Sequence, residues 1–224
     1  MSDSHFYTTS SFSKEVIIAL ESFLKELPEP VRLSLWATPN KELTRHAIEL
    51  CQSLADHFEM IEFVDHSDTL QPLHSPLIGV EGIDENGESI DYRLRILGVP
   101  AGYHINSLVG MIQAVSFRGM TLEAMTRIQL SRLQDAVTIE LFSAASNENG
   151  VPMASLTSNF AVVNPNIGLT LVMIDAYPQL AIERSIYQIP HTVINNRHHL
   201  QGTYNEEGFL KVLARLLKKD RQQD

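Results

Sequence analysis

Apolar residues at Val16, Ile17, Leu20, Phe23, Leu24 and Leu27 recur every three or four positions. That spacing predicts an amphipathic helix over 12–27, with Ser13 in its cap region. Pro28 and Pro30 end it. From Val31 to Trp36 apolar and polar residues alternate, which predicts a strand. Thr38-Pro39-Asn40 opens a helix running to about His57, with the proline near its first turn. A strand over 59–64 and a polar loop over 66–74 come next. A second strand, 76–82, leads into Asp84-Glu-Asn-Gly87, a hairpin turn of the kind Asn-Gly favours. The returning strand is 90–96, followed by a turn over 97–102 and a helix over 103–116.

The pattern then starts again. A helical lead-in over 121–133 carries Leu122, Met125, Ile128 and Leu133. Strand 137–143, loop 144–150, helix 151–163, strand 169–175 and helix 179–186 follow. Ile189-Pro190 precedes a strand over 191–195. After the Asn195-Asn196 turn come a short strand and a helix over 206–219. Both halves carry the same order of elements, a repeat of structure without side-chain identity. Ser75-Pro76 holds the place in the first half that Ile189-Pro190 holds in the second. An X-Pro bond gives up only about 0.5–1 kcal/mol to be cis, so Pro190 can hold a cis turn. At the first residue of its strand a proline removes no ladder donor. The expected fold class is α/β, with two α/β sandwiches and mixed sheets. The units divide as 1–117 and 118–224. Residues 116–134 are helical in pattern and not Gly/Ser-rich, so the units should share a continuous interface.

Composition narrows the partners. The formal charge of −10 repels phosphate backbones and anionic lipid, which argues against nucleic acid and membrane surfaces. A mild acidic excess also simply keeps a chain in solution. No run of about eighteen apolar residues is present. The first residues lack the basic and apolar regions of a signal peptide, so a cytoplasmic location is expected.

Candidate chemistry is sparse. The single cysteine, Cys51, cannot form an internal disulfide or a thiolate zinc site. With Ala47, Ile48 and Leu54 it follows the spacing of a buried helix face, which predicts an inert packed thiol. His198 and His199 fall in the expected turn; as strand neighbours they would point to opposite faces. His104 reads as a surface or cap residue. His191 follows Pro190 on its strand. Glu81, Asp84, Glu85, Glu88 and Asp91 read as a solvated hairpin face, with a cation site as the alternative. No nucleotide-binding, nucleophile-elbow or His-Glu-x-x-His motif occurs. No catalytic residue, metal site or cofactor is assigned.

Four stretches carry a resemblance. Leu97-Gly-Val-Pro-Ala-Gly-Tyr-His-Ile-Asn-Ser-Leu108 resembles the segment closing the first thioredoxin-like unit in two groups. These are the tandem protein disulfide oxidoreductases and the N-terminal region of the alkyl hydroperoxide reductase flavoprotein. Ala161-Val-Val-Asn-Pro-Asn-Ile167 resembles the helix end and turn that follow the active site in that flavoprotein's second unit. Ile189-Pro190 resembles the cis-proline of the thioredoxin superfamily, and Val193-Ile-Asn-Asn196 its following strand and turn. The resemblance spans about 12–218 and implies two tandem thioredoxin-like (glutaredoxin-like) sandwiches. It also implies a Cys-x-x-Cys pair in the second unit, at Asn147 and Gly150. Thiol–disulfide exchange needs a thiolate, and a helix N-terminus would lower its pKa. Here that helix end meets an amide and a glycine, and 38–43 in the first unit also lacks cysteine. Both sites are therefore degenerate. Asn147 and Gly150 also suit a plain cap and turn, or an anion held at the helix start.

The resulting expectation is a redox-inactive thioredoxin-fold protein that binds a peptide or protein, an accessory of a redox or peroxide-handling system. Its groove would be formed by Asn147, Gly150, Ile189, Pro190 and His191. In the resembled fold the residue before the cis-proline offers its backbone N–H and C=O to an extended partner. Two alternatives stand beside it: an enzyme using the fold for non-disulfide chemistry such as thiol-cofactor transfer, and a structural homo-oligomer subunit. Function does not follow from fold.

Overall fold

In a computed structural model, residues 14–69 and 72–222 are described. Eight strands form one sheet in the order β2-β1-β3-β4-β6-β5-β7-β8. The first half contributes α1 (Lys14–Leu24), β1 (Val31–Trp36), α2 (Glu42–His57), β2 (Ile61–Asp65), β3 (Leu77–Ile83), β4 (Ser89–Leu97) and α3 (Ile105–Ser116). The second contributes α4 (Ala124–Ser131), β5 (Val137–Ser143), α5 (Gly150–Val163), β6 (Ile167–Met173), α6 (Pro178–Glu183), β7 (His191–Ile194), β8 (His198–Gln201) and α7 (Glu206–Asp220). Each half orders its strands alike, 2-1-3-4 and 6-5-7-8. The second strand pairs parallel to the first, and the last two form an antiparallel hairpin. β4 runs parallel to β6, from Leu94 opposite Leu169 to Leu97 opposite Val172, and joins the halves.

The β1 and β5 strands match their predicted limits to the residue. The α2 helix starts later than Thr38-Pro39-Asn40 suggests. Asn40 takes a positive φ of 62° and Lys41 stays extended, so helical geometry begins at Glu42. Ser13 and the first residue of the predicted opening helix lie outside the described residues.

Alternation sends Val31, Leu33 and Leu35 of β1 and Ile139 and Leu141 of β5 to one face. There they join residues of α1, α2, α3, α5 and α7 in one core that runs through both halves. The other face carries a smaller cluster of Leu97, Phe142, Val172 and Val193 under Tyr177, Ala181 and Ile186. Over β1 and β3 that face mixes polar Arg32, Ser34 and Glu81 with Trp36 and Leu77. Glu81 was expected in solvent, but it is buried and accepts from the hydroxyls of Ser34 (3.0 Å) and Ser89 (2.5 Å). No group of three or more metal-type side chains gathers at this hairpin or elsewhere among the described residues.

The Ser75-Pro76 and Ile189-Pro190 bonds are both cis. Each precedes the first strand of its hairpin. Each proline carbonyl accepts from a left-handed glycine beyond the return strand, Gly98 (2.9 Å) and Gly202 (3.0 Å). Among the described residues no helix is long and apolar enough to cross a membrane.

Candidate functional site

Parallel pairing brings the C-terminal ends of β1, β2, β5 and β6 to one end of the sheet. The antiparallel partners β3 and β7 begin there, with Leu77 opposite Trp36 and His191 opposite Phe142. The loop over 144–150 and the Ile189-Pro190 turn therefore leave from neighbouring strands at the same end. Of the five groove residues named from the sequence, Asn147 and Gly150 belong to the loop, Ile189 and Pro190 to the turn, and His191 opens β7.

The 144–150 loop is held on several sides. Ala145 donates its N–H to Asp175 Oδ2 (2.7 Å), and its carbonyl accepts from Tyr103 N (3.0 Å). Asn147 Oδ1 accepts from Gly150 N at 2.8 Å and so ties the turn just before α5. The N-cap position itself is Asn149, whose side chain makes no capping bond.

Beneath this helix start lies His104, read from the sequence as a surface or cap residue; it does stand at the N-cap position of α3, but not on the surface. It is fully buried, with Nε2 2.7 Å from Ser143 Oγ and Nδ1 2.7 Å from Ser107 Oγ. Burial pushes its pKa down to about 4, against a smaller upward pull from Asp175. A β-carbon on Gly150 would overlap the Ser143 hydroxyl and come within 2.8 Å of His104 Cε1. The imidazole and hydroxyl fill the space that a side chain at 150 would need. Sequence reasoning missed this cluster. Its one local trace is His104 three residues before Ser107, a spacing that puts both on one side of a helical turn.

On the other wall, Pro190 is buried and Ile189 is half-buried. Among the described residues neither the N–H nor the C=O of Ile189 has a hydrogen-bond partner. Tyr187, two residues before Ile189, is 90% exposed. His191 is buried, with Nε2 2.9 Å from His199 Nδ1. Burial lowers its pKa first, the His199 charge second, while a backbone contact to Gln188 opposes them. His198 and His199 lie on β8 and not in a turn. They do point apart, since His198 Nε2 bonds Asp220 (2.9 Å) on the other face.

The first half repeats the frame but not the opening. Ser75 Oγ accepts from Thr38 N (3.2 Å) and pairs with Thr38 Oγ1 (2.8 Å). The Ser75 carbonyl accepts from the Tyr177 hydroxyl of the second half. Cys51 is buried in α2, its thiol pushed up to about 12 by desolvation and secondarily by Asp65.

No protein-family model matches the chain, and no curated protein sequence does. Solved structures do. The NTD N/C domain of alkylhydroperoxide reductase AhpF from Enterococcus faecalis superposes with a TM-score of 0.79 at 19% identity, over 90% of this chain and 99% of that one. A protein disulfide oxidoreductase from Aeropyrum pernix K1 gives 0.79 at 21% identity, over 93% and 94%. The two halves therefore build the tandem thioredoxin-like fold of these proteins, in a chain whose single cysteine is buried within α2.

Proposed function

We propose that this chain is a redox-inactive thioredoxin-fold protein that binds an extended peptide or protein segment at the Ile189-Pro190 edge, as an accessory of a redox or peroxide-handling system. The observation that carries this reading is the backbone of Ile189. Its N–H and C=O have no intramolecular partner among the described residues, although they flank a sheet in which Pro190 and every strand are paired. Unpaired backbone groups next to a packed surface need water or a partner. A strand laid along Ile189 would supply both bonds, as in β-augmentation. Exposed Tyr187, two residues before Ile189, adds apolar contact, and the small polar loop 144–150 forms the opposite wall. Dithiol chemistry has no support here: the resemblance would put the pair at Asn147 and Gly150, neither of which is a thiol, and Cys51 is buried.

The probe is a fluorescent decapeptide of alternating valine and threonine flanked by lysines. Its main chain suits strand pairing, and its charge suits an acidic protein. Asn147→Trp, which fills the groove, should weaken binding at least tenfold. Glu85→Trp on the distant hairpin should leave it unchanged. Equal binding by both folded variants, or none by the parent chain, would remove this reading.

A further inference from the structure

We infer that the first half holds a second, latent strand-binding edge at Ser75-Pro76, and that Tyr177 of the second half is its built-in occupant. This rests on the reading that such edges bind extended segments.

The two proline turns share a backbone frame, although a helix, α6, leads into the second and a loop into the first. Both prolines begin a hairpin strand, and both proline carbonyls accept from a left-handed glycine. Both turns adjoin the loop after the first strand of their unit. Within that frame the residue before proline differs in its partners. Ile189 has an unpartnered carbonyl, whereas the carbonyl of Ser75 accepts from the Tyr177 hydroxyl. The Ser75 side chain is also engaged, by Thr38. An incoming strand would need that same carbonyl as its acceptor.

Tyr177 comes from the other half by a short route. β6 lies beside β4, so the turn after Met173 emerges next to Gly98 and reaches across to Ser75. Met173 and Ala176 sit so close to Gly98 that a β-carbon there would lie 3.0 Å and 3.3 Å from theirs. The Tyr177 ring packs in the smaller apolar cluster and meets His74 edge-on at 5.7 Å. Burial pushes its phenol up to about 12, so the hydroxyl remains a donor throughout the physiological range. Among the described residues no hydroxyl or other donor bonds the Ile189 carbonyl. The occupied edge thus leaves one open edge per chain, and displacement of Tyr177 would expose a second.

Native mass spectrometry with the Val/Thr decapeptide reads the number bound per chain. The parent should bind one, Tyr177→Ala two, Asn147→Trp none, and the double variant one. If Tyr177→Ala fails to fold, Tyr177→Phe replaces it. That change keeps the ring on His74 and removes only the donor, and it too should raise the count to two. One peptide on both the parent and a folded Tyr177 variant overturns the inference and leaves the Ile189 reading intact. None on the parent but one on the Tyr177 variant does the reverse. None on either removes both.

Discussion

The imidazole of His104 occupies the volume next to Gly150 where a side chain would stand. Its Cε1 and Nε2 would lie 2.8 Å and 2.9 Å from a β-carbon at that position, and the Ser143 hydroxyl closer still. Gly150 is therefore required by packing. Gly150→Ala should destabilise the fold by about 1–3 kcal/mol through overpacking. Ser143→Ala alone should cost a similar amount, about 1–3 kcal/mol, by leaving the His104 ring without one partner. Because Ser143→Ala also relieves the overlap, the double variant should cost less than the sum. Denaturant titration of the four proteins measures the coupling, and strict additivity would contradict the contact.

His104 also sets a pH dependence. Its folded pKa of about 4 lies below the ordinary histidine value of 6.5. Between these values the unfolded chain binds the extra proton and the folded chain does not. Stability should therefore be full above about pH 6.5, fall as pH drops, and stop responding to this group below about pH 4. The whole window corresponds to about 3 kcal/mol. His104→Gln should flatten the slope between pH 6.5 and 4 in urea titrations; an unchanged slope would show that other groups produce it.

Cys51 should be silent in the native state. Ellman's reagent should label it only on unfolding, because the thiol is buried and its pKa is pushed up to about 12. Insulin reduction by the protein should not exceed the uncatalysed rate. Turnover that disappears in Cys51→Ser would reverse the reading of the chain as redox-inactive.

The division at 117/118 should not behave as a flexible joint. Arg118 donates to Tyr92 (2.7 Å) and faces Glu29 at 3.5 Å, and Gly119 N–H bonds Ala114 O (2.9 Å). A side chain at Gly119 would overlap Val163 of α5. Trypsin should cut after Arg118 no faster than global unfolding allows, and thermal unfolding should be a single transition. Rapid release of two stable halves would establish independent units.

Local pattern sufficed wherever a residue's surroundings come from its own neighbours along the chain. Alternation placed β1 and β5 to the residue, because which face a strand residue takes is settled by the residue next to it. Three-four spacing placed Cys51 on the inner face of α2. Pro76 and Pro190 were legible because a proline at a strand start has few other uses; the repeat holds for the strands, but α6 has no counterpart between β2 and β3, so the element order is not the same in both halves. The tertiary structure decided what depends on partners far along the chain. His104 is buried because Ser143, 39 positions away, receives its ring. Glu81 leaves solvent because Ser34 arrives from β1, 47 positions away, to share its charge. The joining of two sandwiches through β4 and β6 has no local signature, since a parallel pair is specified only by the surfaces that meet. The same is true of the difference between the two proline turns. Ser75 and Ile189 look alike as residues before proline, and only the tyrosine 102 positions from Ser75 makes one edge occupied while the other stays open.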